Sequence, residues 1–164
     1  MKPHIKDKLK DLKSNAHNVQ LITGRLNKIP NELKVCTELK YLDLFGNSIQ
    51  EIPDWFFQFR KLEHLSLKNN SLKELPTIVF TIENIKYLNL ADNQIREING
   101  RCFNNLMSIE KVEISYNQIA SIPTEKIEYP KCKSLRIKGK KLERSQVPLR
   151  NVHTLKKLDF SEIK

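Results

Sequence analysis

Aliphatic side chains fall into a short pattern that recurs along nearly the whole chain. Aligned on Leu42, the equivalent position returns at Val19, Leu65, Leu88, Val112, Leu135 and Leu158, with intervals of 23 residues and one of 24 between Leu88 and Val112. The unit reads L-x-x-L-x-L-x-x-N-x-L-x-x-L, with aliphatics at positions 1, 4, 6, 11 and 14 and asparagine at 9. Four units, Leu39 to Ile52, Leu62 to Leu75, Ile85 to Ile98 and Ile109 to Ile122, satisfy every one of these positions. In a chain that is 39% hydrophobic, filling those aliphatic places by chance has odds on the order of 10⁻⁸. The alternation at positions 4 and 6 predicts a short strand, with Leu42 and Leu44 on one side and Tyr41, Asp43 and Phe45 on the other. One such strand cannot bury its apolar face alone. Stacked copies form a parallel sheet over a continuous core, so several repeats are needed for stability.

Between the strands the period changes. Phe56, Phe59 and Leu62 lie three apart, as do Val79, Ile82 and Ile85, and Phe103, Leu106 and Ile109. That spacing predicts a short helical or 3₁₀ turn with one apolar stripe toward the core. Asn47, Asn70, Asn93 and Asn117 share one position and are expected to form a ladder inside the coil, where an amide supplies both donor and acceptor to buried backbone. The ends depart from the pattern. Gly24 replaces the asparagine of the first unit, and Lys140 and Ser145 replace Asn and Leu in the sixth. Ahead of the first unit, Ile5, Leu9 and Leu12 are spaced as one face of an amphipathic helix that caps the open end of the core.

These units resemble the leucine-rich repeat proteins. The 23-residue length and the prolines after position 14 (Pro30, Pro53, Pro76, Pro123) are most similar to the intracellular and bacterial subclass, and the resemblance spans roughly residues 16–160. It implies an α/β leucine-rich repeat solenoid, with a parallel sheet on the concave face and short helical or 3₁₀ turns on the convex face. The expected organisation is a capping helix over residues 1–15 and a solenoid of about six to seven repeats over 16–164, together one domain. Folds of this shape imply a non-enzymatic module that binds a protein partner through its concave face.

The remaining residues narrow the chemistry. No stretch is long and apolar enough to span a membrane, and Met1 to Lys8 contains no apolar signal-peptide core, which points to the cytoplasm, with signal-less secretion as an effector also compatible. Asn69-Asn70-Ser71 matches a glycosylation sequon that such a compartment would leave unused. Three cysteines, Cys36, Cys102 and Cys132, give neither a disulfide framework nor a Cys-x-x-Cys metal site. Cys36 and Cys132 read as small core residues. There is no phosphate-cradling loop, no H-E-x-x-H and no G-x-S-x-G. The four histidines lack ligand spacing, so no metal and no cofactor are expected. Asp43, His64 and Ser66 superficially suggest a hydrolase triad, but His64 and Ser66 lie roughly 7 Å apart along one strand. The amides of a flat, wet sheet are also spent on the ladder, leaving no oxyanion donors.

Function is therefore sought on the outward face of the sheet. Tyr41, His64 and Tyr87 fall in one column, flanked by Asp43, Phe45, Asn89 and Glu113, with Arg136 and Tyr116 further along. Exposed rings beside mixed charges have the composition of a protein-binding region. The aromatic residues would supply affinity, and Asp43, Asn89, Glu113 and Arg136 specificity. Trp55, on the convex side, either packs against Ile78 or opens a second patch. The charge is uneven: residues 131–157 hold ten basic groups and the single acid Glu143, carrying nearly all of the net +10. This segment is read as a solubilising end or, alternatively, as a basic scaffold for an acidic protein. Nucleic acid is the lesser option, because stacking aromatics are absent there. A self-associating structural repeat, pairing through an uncapped last strand, is the remaining alternative.

Overall fold

Every position-3-to-5 triplet of the repeat becomes a strand. In the computed structural model, which describes residues 1–98, 108–120, 133–137 and the backbone of 157–159, seven three-residue strands follow one another. They are β1 (Asn18–Gln20), β2 (Tyr41–Asp43), β3 (His64–Ser66), β4 (Tyr87–Asn89), β5 (Lys111–Glu113), β6 (Ser134–Arg136) and β7 (Lys157–Asp159). They pair in parallel, in chain order, as one sheet. The register aligns Leu42 with Leu65, Leu65 with Leu88 and Leu88 with Val112, so each repeat position forms a row across the sheet. Register is strongly determined here, because a slip of one residue would turn every leucine outward.

The rows at positions 4 and 6 (Leu42, Leu65, Leu88, Val112; Leu44, Leu67, Leu90, Ile114) are entirely buried. They meet Phe56, Phe59, Leu62, Val79 and Ile85 from the opposite side in a single cluster. Phe56 and Val79 stand on the 3₁₀ turns Asp54–Gln58 and Thr77–Thr81, with Phe59, Leu62 and Ile85 in the segments that follow, and Leu33 takes the same place on a third turn, Asn31–Val35. Each turn follows a proline, Pro30, Pro53 or Pro76. Proline's fixed φ suits the entry to a helical turn, where its missing N–H costs nothing. Phe103 and Leu106 of the third predicted stripe lie outside the described residues, as do Cys102 and Cys132. Cys36 is buried beside Leu33 and Leu39, and burial pushes its thiol pKa up, as for an inert core thiol.

The asparagines hold consecutive coils together. Nδ2 of Asn70 donates to the carbonyl of Leu44 in the preceding coil at 2.9 Å and to that of Leu67 in its own at 3.0 Å. Its Oδ1 accepts the Ile49 N–H at 3.0 Å. Asn47, Asn93 and Asn117 repeat the arrangement one coil back or forward. The first coil has no predecessor for such an amide to reach, and there Gly24 stands in place of asparagine. A Cβ on Gly24 would fall 2.8 Å from Cγ1 of Ile5: the absent side chain leaves the space that Ile5 fills. Ile5 and Leu9 are the buried residues of helix α1 (Pro3–Lys10), and the Lys2 N–H donates to the Gly24 carbonyl. The helix stops short of the 1–15 region. Leu12 still packs against the core from beyond it, where the Lys13-Ser14-Asn15 run no longer sustains an apolar face.

Candidate functional site

On the outer face of the sheet, parallel pairing brings the position-3 side chains into contact. The ring centroids of Tyr41 and His64 are 6.1 Å apart, tilted by 34°. Those of His64 and Tyr87 are 5.9 Å apart at 36°, and Lys111 places its ammonium 5.2 Å from the centre of the Tyr87 ring. The result is a continuous row of three rings ending in a cation, spanning β2 to β5. Aromatic pairs at such separations contribute about 0.5–1.5 kcal/mol each beyond area burial, and a cation over a ring about 0.5–1 kcal/mol at an exposed site. The rings are thus held in place before anything binds.

The position-5 residues have a structural duty that their charges did not announce. In three coils the N–H at position 7 is taken by the side chain two residues earlier. Asp43 accepts from Phe45 at 3.0 Å, Asn89 from Ala91 at 3.0 Å, and Glu113 from Ser115 at 3.3 Å. These are the local side-chain-to-backbone bonds that Asx-type turns make. Glu113 is only 8% exposed, and its other oxygen takes Nη1 of Arg136 at 3.2 Å. Glu113 and Arg136, expected among the specificity-setting groups, each have a partner within the chain. Asp43 and Phe45 are half-buried beside the ring row. Asp43, His64 and Ser66 do not form a relay, since the Asp43 carboxylate is turned to Phe45 and the His64 ring lies between two tyrosines.

Position 8 was not anticipated as a group. Thr23, Gly46, Asn69, Asp92 and Tyr116 all have left-handed backbone, with φ from 49° to 68°. Gly, Asn and Asp adopt this region readily; for threonine or tyrosine it costs of order 1–2 kcal/mol. The Gly-Asn-Asp run in that column was the signal available in the sequence. Tyr116 is held there with 51% of its surface exposed. Together with Tyr87 it borders a groove of about 280 Å³ whose floor includes Ala91 and Ser115. The groove exists because position 7 carries small residues in these two coils, where the earlier ones have Phe45 and Lys68.

Two further features lie away from this face. Position 2 alternates in charge along the solenoid, and lysines pair with the carboxylate one coil back, Lys86 with Glu63 and Lys133 with Glu110; Lys61 with Glu38 is a similar pair nearby. The donated lysine hydrogen bond is the main cause that holds each of these carboxyls below the usual range. On the convex side Trp55 is half-buried, edge-on to Phe59 at 5.8 Å with the Lys34 ammonium 5.3 Å from its ring centre. It packs against the core together with Ile78. Among the described residues no group of three His, Cys, Asp or Glu side chains could hold a metal ion, and no helix is long and apolar enough to cross a membrane. The basic segment lies mostly outside the described residues. Of its members that are described with their side chains, Lys133 and Arg136 are both engaged with glutamates.

The family model for leucine-rich repeats matches the sequence twice, over residues 14–72 and 60–119. No curated protein matches the sequence. Among solved structures, the chain is similar to a leucine-rich repeat protein of Leptospira interrogans, at 23% identity and a TM-score of 0.72, over 96% of this chain and 45% of that one. It is also similar to TLR13 in its complex with ssRNA13, at 20% identity and a TM-score of 0.79, over 97% of this chain and 23% of that one. An internalin of Listeria monocytogenes, InlF, superposes with a TM-score of 0.63 at 15% identity, over 98% of this chain and 61% of that one. The chain therefore spans between about a quarter and three-fifths of the length of these structures, and at such identities the likeness is one of fold. The two family matches, taken with the seven parallel strands and the asparagine ladder, show that this chain belongs to the leucine-rich repeat family.

Proposed function

We propose that this protein is a non-enzymatic binding module that holds a partner protein against the outer, concave face of its sheet, with Tyr41, His64 and Tyr87 as the anchors. The observation that carries this reading is the row of rings itself. Three aromatic side chains in mutual contact stand on the sheet with His64 exposed, and no residue of the described chain covers them as a lid. Tyrosine-rich surfaces of this kind supply large contact area at small entropic cost, since the rings have few torsions and are already ordered. Phe45 and Tyr116 extend the apolar area to either side. Asp43 and Asn89 keep polar atoms at its rim, where hydrogen bonds and charge choose among partners.

A pull-down comparing wild type with a Tyr41→Ala/Tyr87→Ala variant tests the assignment. Both residues lie on the solvent side of the sheet, so the variant folds, and loss of the recovered partners identifies this face. Recovery of the same partners by both proteins would place the interface elsewhere.

A further inference from the structure

We infer that the Tyr87 hydroxyl and the Lys111 ammonium form a two-donor subsite for one carboxylate side chain of the bound partner. The inference rests on the proposed use of this face and adds the chemistry of one contact within it. Its first support is an orientation. Asn89 Oδ1 accepts the Ala91 N–H at 3.0 Å, which fixes which way the amide points. Nδ2 is thereby aimed at the Tyr87 hydroxyl oxygen, 3.1 Å away. The tyrosine oxygen is an acceptor in that bond, so its own hydrogen is left to donate outward.

The second support is a charge. Of the three cations bordering the groove between Tyr87 and Tyr116, Lys68 faces Asp92 at 3.5 Å and Arg136 is paired with Glu113. Lys111 is exposed, and among the described residues it has no carboxylate partner; its ammonium lies over the Tyr87 ring. A cation and a hydroxyl donor on adjacent strands, beside a groove with a small-residue floor, suit a carboxylate that takes one donor on each oxygen. A phosphate group or a nucleic-acid backbone is disfavoured by the same observations. It would bring more negative charge to a groove already lined by Asp92 and Glu113, where a single cation is uncompensated.

The test uses random linear peptides displayed and selected on the full chain, followed by calorimetry on the selected peptides. Selected sequences should carry Asp or Glu at a constant distance from an apolar residue. Tyr87→Phe, which keeps the ring, and Lys111→Met should each weaken the acidic peptide about fivefold to tenfold. Both should leave the same peptide with Asn or Gln in place of the acid unchanged. Lys111→Glu should regain binding when the peptide acid is replaced by lysine. Equal losses for the acidic and amide peptides, or selected peptides without acids, would overturn the inference. So would a phosphoserine peptide or single-stranded DNA that binds more tightly than the carboxylate and depends on Lys111. Tyr41→Ala keeps the two readings apart: if it leaves peptide binding intact, the ring row is not the anchor, whatever Lys111 does. Loss with Tyr41→Ala but none with Tyr87→Phe or Lys111→Met removes the carboxylate subsite alone.

Discussion

Asn70 is bonded to Leu44 of the preceding coil: its Nδ2 donates to the Leu44 carbonyl at 2.9 Å, deep in the interior. The same amide serves the Leu67 carbonyl and the Ile49 N–H, so a single side chain satisfies three buried backbone groups across two coils. A turn asparagine on the surface could be replaced at little cost. This one cannot, because water does not reach the groups it serves.

Asn70→Ala should therefore destabilise the protein by about 3–5 kcal/mol, the sum of several stranded polar groups at about 1–3 kcal/mol each. Asn70→Asp keeps the acceptor but has no donor for the two carbonyls while ionised, and should be nearly as damaging at neutral pH. Urea unfolding of the two variants measures both. A loss below about 1 kcal/mol for Asn70→Ala would mean the coils do not depend on this ladder.

Gly24 is the counterpart of those asparagines at the first coil. Gly24→Ala would drive a methyl to within 2.8 Å of Ile5 Cγ1 and 3.2 Å of Asn47 Oδ1. It should cost about 1–3 kcal/mol through overpacking. Combining it with Ile5→Ala should cost less than the two separate losses added together, because the shorter side chain makes room. Strict additivity in thermal unfolding would show that the helix is not seated on this glycine.

The lysine-paired glutamates give the stability a defined acid limb. Glu63 and Glu110 have folded-state pKa values below the ordinary carboxyl range, chiefly through hydrogen bonds from Lys86 and Lys133. A depressed folded pKa contributes stability that is complete above the unfolded value of about 4.3 and is lost as pH falls through the folded value. These groups are exposed, so the effect is small and screened by salt. Lys86→Met should return the Glu63 titration, followed by carboxyl NMR shifts, toward its ordinary range and leave the pair Lys133–Glu110 in place. An unmoved Glu63 titration would show that Lys86 does not hold it.

Tyr116 pairs strain with exposure, at φ 59° and 51% exposed. Tyr116→Asn places at this turn a residue that tolerates left-handed backbone, as Asn69 does two coils back. It should raise stability by about 0.5–1 kcal/mol while weakening partner or peptide binding. Differential scanning calorimetry with a binding assay gives both numbers. A drop in stability would mean that the ring packs usefully on the free protein, and the strain would then need no functional reason.

How much of this was readable in advance differs from column to column. Leu42, Leu65 and Leu88, and the asparagines Asn47, Asn70 and Asn93, declare themselves because each coil presents the same backbone to the same neighbour, so the same side chain recurs. Tyr41, His64 and Tyr87 were placed together by counting alone. Asp43, Asn89 and Glu113 looked like a row of recognition groups, since their type shows charge and polarity but not the N–H two residues ahead that each one bonds. The position-2 alternation of Lys40, Glu63, Lys86, Glu110 and Lys133 was open to the same counting, yet it becomes meaningful only once neighbouring coils are known to lie in register. Tyr116 by its own residue type gave no sign of its left-handed backbone, and only the Gly46, Asn69 and Asp92 of its column pointed to it.

By itself the sequence determined the coil length, the parallel order of the strands, the buried rows and the outward column of rings. All of these follow from a period, and a period in one dimension becomes a stack in three whenever one unit cannot bury its own apolar face. The tertiary structure alone decided how the polar groups are paired: Glu113 turned inward to Arg136, Lys68 drawn to Asp92, Asn89 aimed at the Tyr87 hydroxyl, and Lys111 set over the Tyr87 ring without a carboxylate partner among the described residues. These outcomes depend on distances of a few ångströms between side chains of adjacent coils. Residue types constrain such distances only through the packing that the whole stack imposes.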